Sequence, residues 1–219
     1  MAGGSPSFLR RNGLSLVLFA LFVVFLAGQT LMGRHVYNEE RREEGRPPVA
    51  LSEYLGTGHF QSATMENWES EFLQMGMYVL LTVWLRQKGS AESRPLDPAQ
   101  EEERIDAGPT PRAAQAGGVV QWLYAHSLAI AFLLLFLVSF ALHLSGSWRD
   151  ELERRAARGE PPLDWVEYFS GSQFWFESFQ NWQSEFLAVL AIVVLSIFLR
   201  QDKSPESKPL RAPHAQTGG

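Results

Sequence analysis

The chain contains no cysteine. Disulfide scaffolds, thiolate catalysis, iron–sulfur clusters and cysteine-ligated zinc are therefore excluded, while the redox compartment stays open. Surplus positive charge is also missing, because 19 Lys and Arg stand against 24 Asp and Glu, for a net charge of −5. Phosphate recognition needs clustered basic side chains, so nucleic acid is not expected as a partner. At 219 residues the chain has room for one or two small domains.

Catalytic and metal-binding motifs are equally scarce. The chain has no nucleophile elbow, no phosphate-binding glycine loop and no His-Glu metalloprotease helix. His35 and Glu39 have a spacing that could hold two metal ligands, but no second histidine is near, so a solvated helix face is the better interpretation. His126 and His143 lie about 25 Å apart along one predicted helix and cannot share a site. We expect no catalytic residue, metal or cofactor.

Two long uncharged segments dominate what is present. Residues 12–33 and 113–148 contain no Asp, Glu, Lys or Arg. A helix needs about 20 apolar residues to cross a hydrocarbon core of roughly 30 Å, so both segments are predicted to span a membrane. A secretory signal peptide is the alternative for the first segment, because two arginines precede it.

Two shorter uncharged runs, at 72–85 and 186–199, are bounded by Glu and Arg. Fourteen residues reach only about 21 Å as a helix, so each run alone could also be a buried soluble helix. Each is preceded by an aromatic-rich stretch, HFQSATMENWESEF or QFWFESFQNWQSEF. Because tryptophan is favoured at the membrane interface, we predict that both helices extend back through these stretches and span.

The chain repeats itself at an offset of 114 residues without a gap. NWESEFL at 67–73 matches NWQSEFL at 181–187, and LRQKGSAESRPL at 85–96 matches LRQDKSPESKPL at 199–210. Each unit crosses twice, so the repeats are parallel, and the first helix corresponds to a mid-chain helix that cannot be a signal peptide. The predicted organisation is a two-helix membrane repeat at 8–86, a disordered cytoplasmic linker at 87–118, a second two-helix membrane repeat at 119–200 and a disordered cytoplasmic tail at 201–219.

Charge differs between the two sides of the predicted spans. The tails and the linker sum to +3, whereas the loops inside the repeats sum to −8. The positive-inside rule therefore places both termini in the cytoplasm. Each outer loop continues the first helix to Gly45 or Gly159, which precede Pro-Pro and mark a helix end. A short helix near 52–55 or 166–169 then returns the chain, which predicts a small extracytoplasmic helical cap.

A polar stripe begins the second helix of each repeat. Its members share one helix face in each copy: Asn67, Ser70, Glu71 and Gln74, then Glu177, Asn181, Ser184 and Glu185. Glu71 and Glu185 are predicted to lie inside the hydrocarbon region, where a carboxylate is costly and indicates function. They form either a pseudo-symmetric pair that binds a cation or relays protons, or structural groups that bond the adjacent loop while the helices tilt.

The run NWQSEFLAVLAIVVLSIFLRQ, followed by SPESKP and by APH at 212–214, resembles a family of small bacterial membrane proteins described only as a domain of unknown function. The resemblance covers nearly the whole chain, including both NWxSEF motifs. It implies a bacterial cytoplasmic-membrane protein and implies no activity.

We therefore predict an all-α membrane protein with four transmembrane helices in two parallel helical-hairpin repeats. The expected function is that of a non-enzymatic structural or partner-binding protein of the cell envelope. The alternatives are a small cation or proton channel or transporter that uses the Glu71 and Glu185 pair, and, third, a membrane-embedded enzyme. The expected partners are the lipid bilayer and either another protein or a second copy of the chain.

Overall fold

The fold is all-helical in the computed structural model, which describes residues 7–101 and 105–218 and has no strand there. The linker residues Glu102, Glu103 and Arg104, the terminal Gly219 and residues 1–6, all covered by our sequence predictions, lie outside the described residues. The helices are α1 (Phe8–Glu43), α2 (Leu51–Tyr54), α3 (Gly58–Trp84), α4 (Arg112–Gln115), α5 (Gly118–Ala125), α6 (Ser127–Arg158), α7 (Trp165–Ser170) and α8 (Ser172–Phe198), with a 3-10 turn at Pro98–Gln100.

Three helices of the described chain are long and apolar enough to cross a membrane, whereas we predicted four. They are α1, α6 and α8. The helix α3 has the same 27 residues as α8 but falls short in hydropathy. Its first half holds three glutamates, at 66, 69 and 71, where α8 has Gln180, Gln183 and Glu185. The apolar composition therefore supports three spans and does not by itself support α3 as a fourth.

The helix ends follow the local stop signals. Gly45 and Gly159 have φ angles of +72° and +69°, a left-handed conformation that other residues adopt at a cost. The helices α1 and α6 end just before them, at Glu43 and Arg158, as the sequence predicted. The short returning helices α2 and α7 are present too, and both α3 and α8 extend back through the aromatic-rich stretches.

One compact unit contains residues 7–63 and 145–163. Its centre is aromatic: Tyr37 and Tyr54 are 3% and 1% exposed, and their rings lie 5.7 Å apart. The hydroxyl of Tyr37 donates a 2.6 Å hydrogen bond to Glu153. Burial, and then the charge of Asp150, raises the pKa of Tyr54 to about 12, so this phenol stays neutral throughout the physiological range.

In the same unit, glycines let α3 and α6 approach backbone to backbone. A Cβ atom at Gly146 would lie 2.7 Å from the amide nitrogen of Ser62, and one at Gly58 would lie 2.6 Å from the carbonyl oxygen of Gly146. Both distances are below van der Waals contact, and backbone cannot swing aside as a side chain can. The approach therefore depends on the missing side chains.

The Gly146→Ala variant is expected to lose about 1–3 kcal/mol of stability, because the added methyl forces the two backbones apart. Thermal unfolding in detergent micelles, followed by circular dichroism, measures the loss. Gly28→Ala is the matched control, since a Cβ at Gly28 meets nothing within 4 Å, and it should be neutral or slightly stabilising. Equal melting temperatures for the two variants would contradict the close approach.

The second unit contains residues 64–144 and 164–218. Here α3, α6 and α8 are joined by aromatic and polar contacts. Phe174 on α8 is 0% exposed, and its ring lies 5.4 Å from that of Phe140 on α6. A Cβ at Gly76 on α3 would lie 3.1 Å from the Cβ of Phe132 on α6, so α3 and α6 approach closely at that level as well.

The segments predicted as disordered tethers make defined contacts in this unit. After α3 the amide of Gln87 donates to the hydroxyl of Ser93 at 2.9 Å, and after α8 the amide of Gln201 donates to that of Ser207 at the same distance. Lys208 is 1% exposed. These contacts are polar, because serine hydroxyls accept from backbone amides and Lys208 donates to backbone carbonyls.

Four carbonyl oxygens accept hydrogen bonds from the ammonium group of Lys208: those of Gly89, Pro213, His214 and Gln216. The amide of Gly89 in turn donates to Thr217 at 2.9 Å. The C-terminal tail is thereby held on the first turn of the linker. The predicted boundaries, with a disordered linker and a disordered tail, stay a prediction.

Candidate functional site

The predicted polar stripe divides into buried and exposed members. On α3, Ser70 and Gln74 are 1% and 8% exposed, whereas Asn67 and Glu71 are exposed. On α8, Asn181 and Glu185 are half-buried and Ser184 is exposed. Glu71 lies close enough to Glu185 to interact with it electrostatically. The structure therefore brings this pair together at a partly exposed position, and its function stays a prediction.

A deeper cluster forms around His143 of α6. His143 and Glu69 of α3 are both 0% exposed, and Nδ1 of His143 lies 3.2 Å from Oε2 of Glu69. The other oxygen of Glu69 accepts a 3.3 Å hydrogen bond from the indole N–H of Trp182. The ring of Phe174 lies 4.9 Å from the imidazole. This contact therefore joins α3 and α6 beside aromatic side chains of α8.

The second nitrogen of His143 faces another carboxylate. Nε2 lies 3.9 Å from Oε2 of Glu177, whose side chain is 25% exposed. The amide of Gln173, one turn earlier on α8, donates a 2.6 Å hydrogen bond to Glu177. The imidazole thus connects a partly exposed carboxylate on one side with a fully buried carboxylate on the other.

A third carboxylate, Glu66, completes the cluster. The side-chain amide of Asn181 donates hydrogen bonds to Glu66 and, at 3.1 Å, to the backbone carbonyl of Glu177. Glu66 also interacts electrostatically with His143, Glu177 and Glu69. Four groups that can each take up or release a proton are therefore gathered on three helices.

Within residues 7–101 and 105–218, no three or more His, Asp or Glu side chains are arranged to hold a metal ion. Ser178, next to Glu177, is 0% exposed, and its hydroxyl makes no hydrogen bond within that part of the chain. Buried polar groups of this kind are rare in folded proteins and call for an explanation.

Sequence reasoning identified Asn181 and Glu177 but missed Glu66, Glu69 and His143. The 114-residue offset carries a signal that would have found all three. At the 114-residue offset these residues align with Gln180, Gln183 and Gln29. Each aligned position therefore has an ionisable side chain in one copy and an amide side chain in the other. The ionisable member lies in the first copy for Glu66 and Glu69 and in the second for His143, and the exchange of an amide for an ionisable group marks each as a candidate site residue.

Two further histidines that the sequence analysis named, His35 and His126, lie outside the cluster. Nε2 of His35 lies 3.2 Å from Glu39, and the two side chains are 66% and 56% exposed, which is a solvated helix face. His126 is exposed at the junction of α5 and α6, and its ring stacks on that of Trp122 with centroids 4.5 Å apart. Neither histidine takes part in the cluster.

The fold and the site define a class: an all-helical protein with three helices able to cross a membrane and a buried histidine–glutamate cluster on α3, α6 and α8. The chain belongs to the family described as Domain of unknown function (DUF6766), whose model matches residues 5–219. Neither a search of curated proteins nor a search of solved structures finds a match to the chain.

Proposed function

We propose that this chain is a non-enzymatic, multi-pass membrane protein that conducts protons through the His143 cluster. The observation that carries the proposal is the position of His143, which is 0% exposed and has a carboxylate on each side of its ring. An ionisable group inside a membrane span is costly and is a functional group by default.

The proposal includes α3 as a fourth spanning helix. Its 27 residues measure about 40 Å, more than the roughly 30 Å that a span requires. The bounds of α3 and α8 differ by the repeat offset of 114 at both ends, and the turns that follow them contain equivalent hydrogen bonds. These agreements support two equivalent helical hairpins, and the polar residues of α3 account for its lower hydropathy.

The cluster then falls within the hydrocarbon region. Glu69 lies about 22 Å before the end of α3 at Trp84, inside a core of roughly 30 Å. The exposure falls from 25% at the Glu177 side chain to 0% at His143. This gradient supports proton entry at Glu177, transfer through the two imidazole nitrogens and delivery to Glu69. Histidine suits this transfer because it can alternate between its neutral and its protonated form.

The excess of Lys and Arg on the tails and the linker supports a cytoplasmic position for both termini. The cluster then lies toward the outer face of a bacterial cytoplasmic membrane. The earlier expectation of a structural or partner-binding envelope protein stays a prediction, and the flux experiment separates it from proton conduction.

The test is proton flux in phospholipid vesicles that contain the purified protein and an internal pH-sensitive dye, driven by a potassium diffusion potential. The wild-type chain should acidify or alkalinise the interior faster than empty vesicles. His143→Gln, which keeps the polar shape but cannot carry a proton, should lower the flux at least about tenfold. Glu177→Gln, at the partly exposed end, should lower it with less risk to folding.

Gln29→Ala is the matched control, because it alters the equivalent position of the other repeat, and its flux should equal that of wild type. The Glu71→Gln/Glu185→Gln double variant tests the other carboxylate pair in the same vesicles. Wild-type vesicles no faster than empty ones, with the helical circular dichroism intact, would overturn the proposal in favour of a structural role. Loss of flux only in the double variant would move the site to Glu71 and Glu185.

A further inference from the structure

Polar side chains continue along α3 beyond the cluster. Positions four residues apart on a helix are neighbours on its surface, and from Glu66 they are Ser70, Gln74 and Tyr78. Ser70 and Gln74 are buried, and Tyr78 is half-buried. The equivalent positions of α8 after Ser184 are Ala188 and Ile192, so only α3 has an unbroken row.

This row ends on a carboxylate at the other end of the helix. The hydroxyl of Tyr78 donates a 3.0 Å hydrogen bond to Glu92 in the turn that follows α3. Glu92 is half-buried there and also hydrogen-bonds through its side chain to Glu206 of the tail. Because ionised carboxylates only accept hydrogen bonds, a bond between two carboxyl groups requires a proton on one of them.

The surroundings of Glu92 favour the protonated form. Burial and the hydrogen bond with Glu206 raise the pKa of Glu92 above its ordinary 4.5, while the hydrogen bond from Tyr78 opposes the rise. The basic groups nearby are engaged elsewhere: Arg86 and Arg94 both pair with Glu101 at 3.0 Å, and Lys208 bonds backbone carbonyls. Glu92 therefore holds a proton to a higher pH than an ordinary glutamate does.

We propose that Ser70, Gln74 and Tyr78 form the proton path across the membrane, leading from the His143 cluster to Glu92. The inference rests on the proposed function and deepens it by naming the route and the opposite terminus. Neighbouring members are separated by about 6 Å along the helix axis, a gap that a glutamine amide or one bridging water spans. Each hydroxyl or bridging water accepts a proton on one side and passes one on the other, while the Gln74 amide hydrogen-bonds these waters and itself stays unchanged, so no charge accumulates in between.

Gln74→Leu and Tyr78→Phe are the diagnostic variants, measured in the same vesicle assay. Each removes one polar group from the middle or end of the row and should lower the flux about tenfold or more, which corresponds to at least about 1.4 kcal/mol of lost stabilisation for the moving proton. Met75→Leu is the control on α3, because Met75 is 38% exposed and lies beside the row, and its flux should be unchanged.

A second measurement separates a broken path from a damaged fold. The imidazole signals of His143, recorded by NMR with labelled histidine, should titrate in Gln74→Leu and Tyr78→Phe as they do in wild type. Infrared spectra should show a protonated carboxyl band that disappears in Glu92→Gln and persists in Asp202→Asn, a tail carboxylate that is exposed.

The outcomes distinguish the two proposals. Wild-type flux that Gln74→Leu and Tyr78→Phe leave unchanged would overturn the path while proton conduction stands. Vesicles with no wild-type flux at all would overturn proton conduction itself. Flux lost together with a changed His143 titration would show damage to the cluster and would also count against the path, whereas flux lost with the titration intact supports it.

Discussion

Replacing Glu69 with leucine is expected to lower the free energy of unfolding by about 3–5 kcal/mol. Glu69 and His143 are both 0% exposed and face each other at 3.2 Å, so removing Glu69 leaves His143 buried without its nearest partner. The cost of a buried, uncompensated ionisable group exceeds the modest value of most surface pairs. Reversible denaturation in detergent micelles, followed by tryptophan fluorescence and circular dichroism, measures the change.

The double variant Glu69→Leu/His143→Phe sharpens this expectation. Apolar replacement of both partners removes the uncompensated group, so much of the lost stability should return. Gln183→Leu, the exposed equivalent of Glu69 in the other repeat, should change the stability by less than about 0.5 kcal/mol. A single Glu69→Leu variant as stable as wild type would contradict the geometry of the cluster.

Replacing Lys208 with methionine is expected to release the C-terminal tail, at a local cost of about 2–4 kcal/mol. Methionine keeps most of the side-chain volume but removes the group that donates to the carbonyls of Gly89, His214 and Gln216. Those buried acceptors then lack their donor. Amide hydrogen exchange should report the loss, with the protection of Gly89 and of residues 211–217 falling by about tenfold for every 1.4 kcal/mol.

Arg94→Met is the matched control for this variant, because Arg94 occupies the equivalent position in the first repeat. Its side chain is 52% exposed and pairs with Glu101, an interaction expected to contribute less than about 1 kcal/mol. Exchange in the tail should be unaffected. If Lys208→Met exchanged like wild type, the carbonyl contacts would not be what holds the tail.

Local patterns predicted the helices well. The glycine followed by Pro-Pro located the ends of α1 and α6, because a left-handed residue and a missing N–H stop a helix whatever surrounds it. The aromatic-rich stretches correctly predicted how far α3 and α8 extend. The number of spans was predicted less well. The helix α3 is long enough to span a membrane, but its polar residues lower its mean hydropathy.

The candidate site was predicted only in part. The predicted stripe included Asn181 and the buried Ser70 and Gln74. The carboxylate predicted to lie inside the membrane on α3 was Glu71, whereas the buried one is Glu69. Residues two apart on a helix point about 200° away from each other, so only one of this pair can face α6. Nothing in the composition of α3 says which face that is, because the choice is made by the partner helix.

What the sequence by itself determined is the all-helical fold and the ends of its helices, since each of these depends on residues close together along the chain. The tertiary structure alone decided which ionisable groups are buried together and that the tail is held in place. His143 meets Glu69 because two helices distant in sequence approach, and Lys208 orders the tail through backbone carbonyls. Every residue has a backbone carbonyl, so the sequence does not show which carbonyls accept a hydrogen bond. Which side chains meet between two helices depends on how the helices pack.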